Sequence, residues 1–97
     1  MKAKKLDEGA VVWIPCEIKR GMFSNERYVI VNLGGHEISG FVPAEDVEEL
    51  KNRVRAVVTH LPANKNNVAL LFRGEIFRET NPVTVAKDWL ISAEIAA

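Results

Sequence analysis

The stretch RYVIVNLGGHEISGFVP, residues 27–43, decides the fold predicted for this chain. β-Branched and apolar residues flank Gly34-Gly35 on both sides and predict two strands. A glycine pair between strands favours a two-residue hairpin turn, because both positions of a primed turn require positive φ. This turn sets the cross-strand pairing, which on one face is Val31 with Ile38, Val29 with Gly40, and Leu33 with His36.

The opposite face of this hairpin carries an aromatic pair. In the same register the opposing residues are Tyr28 and Phe41, Ile30 and Ser39, and Asn32 and Glu37. Because successive side chains of a strand point to opposite faces, the aliphatic pairs face the core and the two rings face away from it. The rings then form either a binding surface or a structural cross-strand pair, covered in that case by the C-terminal segment and Trp89.

Length and composition predict a single domain. The chain has 97 residues, of which 47% are hydrophobic, and its 13 basic and 13 acidic residues give a net charge of zero. A chain of this size supports one hydrophobic core and no more. We expect one domain over 1–97, with a barrel core at about 8–73 and an extension at 74–97. The charge balance disfavours disorder along the whole length and a polybasic nucleic-acid clamp.

The cysteine content and the hydropathy pattern bear on location. Cys16 is the only cysteine, so no internal disulfide can form, which is typical of a reducing compartment. No apolar run approaches the roughly 20 residues that span a bilayer. The sequence therefore predicts a cytoplasmic protein without a membrane segment.

Further elements flank the hairpin. Strands are predicted over 11–18, with an edge or bulge at Pro15 and Trp13 in the core, and over 54–61 and 68–72. Proline and acidic residues after residue 42 predict a helix of about two turns over 44–52, with an apolar stripe formed by Val47, Leu50 and Val54. Residues 76–77 and 82–85 can add short strands, and 86–96 has the composition of a helix, docked through Trp89 and Leu90.

This order of elements predicts an all-β protein with short helices, arranged as a five-stranded OB-fold-like barrel. The helix lies between the third and fourth strands, as in that fold. The supporting segments are EGAVV at 8–12, YVIV at 28–31, GFVP at 40–43, VRAVV at 54–58 and VALL at 68–71. Together they resemble the S1-type RNA-binding domain, which implies an OB-fold and single-stranded RNA as the ligand. The chain departs from that family at Ser24, Pro43 and Asn67, where a glycine, a histidine and a basic residue are usual.

An SH3-like barrel is the alternative architecture. GFVP at 40–43 followed by a tight turn also resembles the end of an SH3-type core. The segment at 44–52 discriminates between the two, because two full helical turns favour the OB-fold and a single 3₁₀ turn favours the SH3-like barrel.

The predicted function is weak binding of single-stranded RNA or DNA through the second and third strands and the loops beside them. Aromatic rings interleaved with basic side chains are the arrangement that single-stranded nucleic acid requires. The predicted contact residues are Lys19, Arg20, Phe23, Arg27, Tyr28, Phe41, Lys65 and Arg73.

The alternative function is a protein-interaction or structural subunit. In that hypothesis the apolar segment 82–97 docks on a partner protein or on a second copy of the chain. Neither hypothesis involves catalysis, because no nucleophile and base are paired in the sequence, and no cofactor is expected. His36, His60 and Cys16 lack the spacing of metal ligands, so no metal site is predicted.

Overall fold

Two antiparallel sheets form the architecture of the computed structural model, which describes residues 7–20, 24–35, 37–60, 66–77 and 81–96, the side chains of 93–96 excepted. The elements in chain order are β1 (Val11–Pro15), β2 (Glu17–Arg20), β3 (Glu26–Asn32), β4 (Glu37–Pro43), β5 (Val47–Glu48), β6 (Arg53–His60), β7 (Asn67–Leu71), β8 (Glu75–Phe77), β9 (Val83–Ala86) and α1 (Lys87–Ala96). The prediction of a mostly β protein is confirmed.

The first sheet has the order β1-β6-β7-β9, with β5 also paired to β6, and the second has the order β2-β3-β4-β8. The N-terminal strand serves both sheets, because it breaks at Cys16 immediately after Pro15. Proline lacks the donor that a ladder requires, so the predicted interruption falls where the chain changes sheets. The sheets do not close into a barrel, since no ladder joins one to the other among the described strands.

The hairpin register predicted from Gly34-Gly35 is confirmed. In the ladder between β3 and β4, Tyr28 lies opposite Phe41 and Val29 lies opposite Gly40. The other expected pairs, Ile30 with Ser39, Val31 with Ile38 and Asn32 with Glu37, are also formed. His36 lies outside the described residues, so its pairing with Leu33 is not described. The Asn32 side-chain oxygen accepts hydrogen bonds from the backbone N–H groups of Gly34, at 3.0 Å, and Gly35, at 3.4 Å. The asparagine thus stabilises the turn that the glycines permit.

The core lies between the two sheets and is composed of alternating strand residues. Its fully buried side chains include Val12, Ile14, Val29, Val31, Val42, Val54, Val58, Val68, Leu70, Phe72, Val83 and Leu90. Alternation with Val12 and Ile14 leaves Trp13 half-buried on the other face of β1, where the Arg53 guanidinium stacks 5.0 Å from the ring centroid. The prediction that Trp13 belongs to the core is therefore wrong by one position of strand periodicity.

The helix predicted over 44–52 is also wrong. Residues Ala44–Asp46 and Glu49–Lys51 form separate 3₁₀ turns, and between them β5 pairs Val47 with Val54 and Glu48 with Arg53. Val47 is β-branched and lies beside β6, which offers partners for a ladder. Pairing with β6 therefore outweighs the local signals for a helix. Leu50 is fully exposed at 101% instead of packing in an apolar stripe.

The C-terminal segment is part of the fold. β9 pairs with β7 and buries Val83 and Val85, and α1 packs on β1 and β9 and buries Leu90 completely. A Cβ atom added at Gly34 would lie only 2.6 Å from Cδ1 of Trp89, so the indole packs directly on the hairpin turn. The predicted docking of Trp89 and Leu90 on the sheets is confirmed.

A candidate binding surface on the second sheet

Three aromatic rings of the described residues lie on the outer face of the second sheet, the face turned away from the core. Tyr28 on β3 and Phe41 on β4 have ring centroids 5.2 Å apart at an interplanar angle of 58°. Phe77 on β8 meets Phe41 edge-to-face, at 5.8 Å and 87°. Such tilted and perpendicular pairs are the favoured arrangement of neighbouring rings. We call these three side chains the aromatic surface.

Strand pairing places the aromatic surface. Phe41 lies opposite Tyr28 on one side and opposite Glu75 on the other, and Ser39 lies opposite Phe77. Gly40 allows β8 to approach, because a Cβ atom at this position would clash with the carbonyl oxygen of Glu75 and lie 2.9 Å from the Cα of Ile76. Phe77 is 37% exposed and Tyr28 and Phe41 are half-buried, so the rings reach solvent along one side.

Trp89 does not cover the aromatic surface. Its ring lies against Gly34 at the hairpin turn, beside a depression of about 410 Å³ lined by Pro15, Asn32, Trp89 and Ser92. Among the residues described, the ring neighbours of Phe41 are Tyr28 and Phe77. The tail therefore packs at a different place from the one required by the covered-pair alternative.

Two depressions flank Phe41 on the outer face. One, of about 370 Å³, is lined by Tyr28, Glu37, Ile38, Ser39 and Phe77. The other, of about 470 Å³, is lined by Asn25, Glu26, Phe41, Val42, Pro43, Gly74 and Glu75. Each combines aromatic or apolar walls with carboxylates, and the described part of either lining contains no basic side chain.

The outer face is acidic. By strand alternation the charged residues on the described part of this face are Glu17, Glu26, Glu37, Glu75 and Lys19. Lys19, which lies opposite Tyr28, has its Nζ 3.8 Å from the Glu17 carboxylate, and both side chains are well exposed. Although the whole chain has a formal charge of zero, the described part of this face carries four carboxylates and one lysine.

Arg27, predicted to contact nucleic acid, is engaged in the fold. Its Nε donates to the Glu49 carboxylate at 2.9 Å, and its Nη1 donates to the carbonyl oxygens of Ser24 at 2.8 Å and Glu26 at 2.9 Å. Its side chain is only 15% exposed. Because three groups already accept hydrogen bonds from this guanidinium, it has little capacity left for a phosphate. Its bond to Glu49 links the second 3₁₀ turn, Glu49–Lys51, to β3.

Arg73 has a similar structural role. Its Nη2 donates to Glu45 at 3.0 Å, and its Nη1 donates at 3.4 Å to Oδ1 of Asp46. The Asp46 side chain is 3% exposed, and its Oδ2 has no hydrogen-bond partner among the described residues. Arg73 thus supplies the counter-charge for a buried carboxylate.

We expect Arg73→Gln to lower the free energy of unfolding by about 1–2 kcal/mol, since Asp46 loses its ion pair while half of the Arg73 side chain was already hydrated. Urea denaturation measures this change. Arg20→Gln is the matched control and should shift stability by less than about 0.5 kcal/mol, because Arg20 is exposed on β2. Loss of ligand binding by Arg73→Gln without loss of stability would contradict the structural role.

The structure places only some of the remaining predicted contact residues beside the aromatic surface. Lys19 and Arg20 are neighbours on β2, so their side chains project to opposite faces and only Lys19 lies beside Tyr28. Phe23 and Lys65 lie outside the described residues. The hairpin register places Glu37 on this face, opposite Asn32, but it was not among the predicted contact residues. Phe77 and Glu75 were not predicted as site residues; their sequence signal is the alternation in Glu75-Ile76-Phe77, which is informative once β8 is known to pair with β4.

The described residues show little basis for metal or thiol chemistry. They contain no cluster of three or more histidine, cysteine, aspartate or glutamate side chains that could hold a metal ion. Burial raises the pKa of the Cys16 thiol to about 12, so the nucleophilic thiolate is scarce at neutral pH. No helix within the described ranges is long and apolar enough to cross a membrane.

No protein-family model, curated protein or solved structure matches this chain. The ligand of this surface is therefore inferred from its rings and carboxylates alone.

Proposed function

We propose that this chain is a small binding module, without catalytic activity, that holds an extended basic segment of a partner protein on the aromatic surface. The observation that carries the proposal is the coincidence of three rings with an excess of carboxylates on one sheet face. Aromatic side chains are enriched at the cores of protein interfaces, and complementary charge contributes to the choice of partner.

The architecture proposed alongside this function is of the SH3-like kind. Its support is the 3₁₀ turn Ala44–Asp46 directly after GFVP, together with the absence over 44–52 of the two-turn helix that the OB-fold alternative requires. The segment differs from the single turn expected for an SH3-like barrel, because β5 and a second 3₁₀ turn, Glu49–Lys51, follow. On this basis the resemblance to S1-type domains concerns strand order alone, and it carries less weight for an RNA ligand.

Single-stranded nucleic acid is the second candidate. It is favoured by the exposed side of Tyr28, on which a base can stack, and by Lys19 opposite it. The surrounding carboxylates repel phosphates, and Arg27 and Arg73 are engaged by other partners. We therefore rank RNA or DNA below a basic protein segment.

The alternative that segment 82–97 docks on a partner is based on its apolar side chains. Val83, Val85 and Leu90 are buried in the protein's own core, so these side chains need no second chain to exclude water. We place the partner on the aromatic surface and not on 82–97.

A pair of matched ligands tests the proposed function. The first is a peptide of about ten residues with arginine at alternate positions, which extends over about 33 Å, and the second is an oligouridylate of the same number of units. The peptide length suits a domain whose extents are 41 × 31 × 24 Å. We expect the peptide to shift the amide resonances of 39–41 and 75–77 in the ¹⁵N-labelled protein, and the oligonucleotide to leave them unchanged.

The opposite outcomes have definite meanings. Shifts at the same residues with the oligonucleotide alone would establish the second candidate in place of the first. Saturable shifts by the peptide at α1 or at the first sheet would assign the binding to another surface. No response to either ligand would overturn the proposal that the aromatic surface binds a polymer.

A further inference from the structure

We propose that the depression between Tyr28 and Phe77 is a subsite for one cationic side chain, arginine or lysine, of the partner segment. The inference rests on the proposed function and specifies its ligand chemistry. It concerns the depression of about 370 Å³ whose lining residues are Tyr28, Glu37, Ile38, Ser39 and Phe77.

The register of three strands builds the walls of this subsite. Ser39 on the central strand β4 has Phe77 directly opposite on β8, and Tyr28 lies two pairs further along the ladder with β3, on the same face. The small serine side chain forms the floor between two rings. Phe41 does not line the depression, but its ring packs against both Tyr28 and Phe77, at ring-centroid distances of 5.2 and 5.8 Å. The walls are thus held in place by a third ring.

Glu37 supplies the charge at one end of the subsite. It is exposed, and its carboxylate has no hydrogen bond or ion pair with any described residue. Among the described residues that line the depression, Glu37 is the charged one. A carboxylate at the end of an aromatic slot attracts a cation and gives it a hydrogen-bond acceptor at its tip.

An organic cation fits these groups better than a metal ion or a nucleobase does. Ring faces attract ammonium and guanidinium groups, whereas calcium and magnesium require several oxygen ligands and this depression offers one carboxylate. A base could stack here, but its phosphates would meet Glu37 and Glu75 on the same face. The alkyl stem of arginine or lysine also packs on aromatic walls while its head stays polar.

Nα-acetylated arginine amide (arginine amide below) tests the subsite directly. The control is Nα-acetylated citrulline amide (citrulline amide below), which has the same shape but a neutral side chain; acetylation removes the α-ammonium charge from both compounds. In the ¹⁵N-labelled protein we expect arginine amide to shift the amide resonances of Ser39 and Phe77 in a concentration-dependent manner, and citrulline amide to leave them in place. Shifts of equal size with both compounds would overturn the requirement for charge. No shift with arginine amide would overturn the subsite.

Variants connect the subsite to the basic peptide. We expect Glu37→Gln and Phe77→Leu each to weaken the peptide by about five- to tenfold, since one removes the charge and the other a wall. Asp88→Asn is the matched control, because Asp88 is an exposed carboxylate on α1, which packs on β1 and β9 and not on the second sheet; less than about a twofold change is expected. Thermal unfolding of each variant shows that the fold is retained.

The two proposals fail in different ways. If the peptide binds the aromatic surface but neither Glu37→Gln nor Phe77→Leu weakens it, the subsite is wrong and the proposed function stands. If neither the peptide nor arginine amide shifts any resonance of the outer face, both are wrong. If the oligonucleotide binds there and the peptide does not, the cationic subsite is overturned.

Discussion

Replacing Gly74 with alanine is expected to destabilise the protein by about 3 kcal/mol or more, which combines the strain of positive φ with an overpacked contact. Gly74 has φ of 132°, and a Cβ atom there would clash with the carbonyl oxygen of Phe41 and lie 3.0 Å from the Cα of Val42. Backbone atoms of β4 cannot rotate away as a side chain can. The variant should therefore weaken the pairing of β8 with β4, and with it the position of Phe77.

Gly35→Ala is the matched control for this prediction. Gly35 has a similar φ of 139°, but no atom lies within 4 Å of a Cβ placed there. This variant carries only the conformational strain, about 1–2 kcal/mol. Urea denaturation of both variants separates the two contributions. Equal losses of stability in Gly74→Ala and Gly35→Ala would contradict the close approach of β4 to the chain before β8.

Leu90→Ala is expected to lower the free energy of unfolding by about 2–5 kcal/mol, the usual range for a leucine truncated in a core. Leu90 is 0% exposed although it lies in the last helix, close to the end of the sequence. Its truncation leaves a cavity between α1 and the strands that α1 covers. A loss of this size would establish that the C-terminal segment is part of the core and not an appendage that awaits a partner.

Leu50→Ala provides the comparison within the same chain. Leu50 lies on the second 3₁₀ turn and is 101% exposed, so truncation removes no buried contact and should change stability by less than about 0.5 kcal/mol. A large effect of Leu50→Ala would restore the helix with an apolar stripe that the sequence predicts. A small effect of Leu90→Ala would mean that α1 is only loosely attached.

Local sequence was sufficient for the hairpin because the signal and the structure span the same few residues. Gly34-Gly35 fixes the turn, the turn fixes the register, and the register places Tyr28 beside Phe41. The same reasoning explains the break at Cys16, which immediately follows Pro15, a residue without the N–H group that a ladder requires. Each of these features depends on residues that are close in the chain.

The features that were missed depend on long-range pairing. The helix signals in 44–52 are real, but β6 offers Val47 and Glu48 ladder partners that local propensity cannot anticipate. Phe77 joins the aromatic surface only because β8 pairs with β4, more than thirty residues earlier in the chain. Arg27 and Arg73 form ion pairs with acidic residues of the 3₁₀ turns, so their charges are already paired within the protein.

The measurement that tests the aromatic surface most directly is the detection of intermolecular nuclear Overhauser effects to aromatic ring protons. A protein labelled with ¹³C in its tyrosine and phenylalanine rings is mixed with the unlabelled arginine peptide. We expect contacts between the Cγ and Cδ protons of an arginine and the rings of Tyr28 and Phe77. Contacts of a bound peptide confined to Trp13 or Trp89, in a second sample with labelled indoles, would contradict this account.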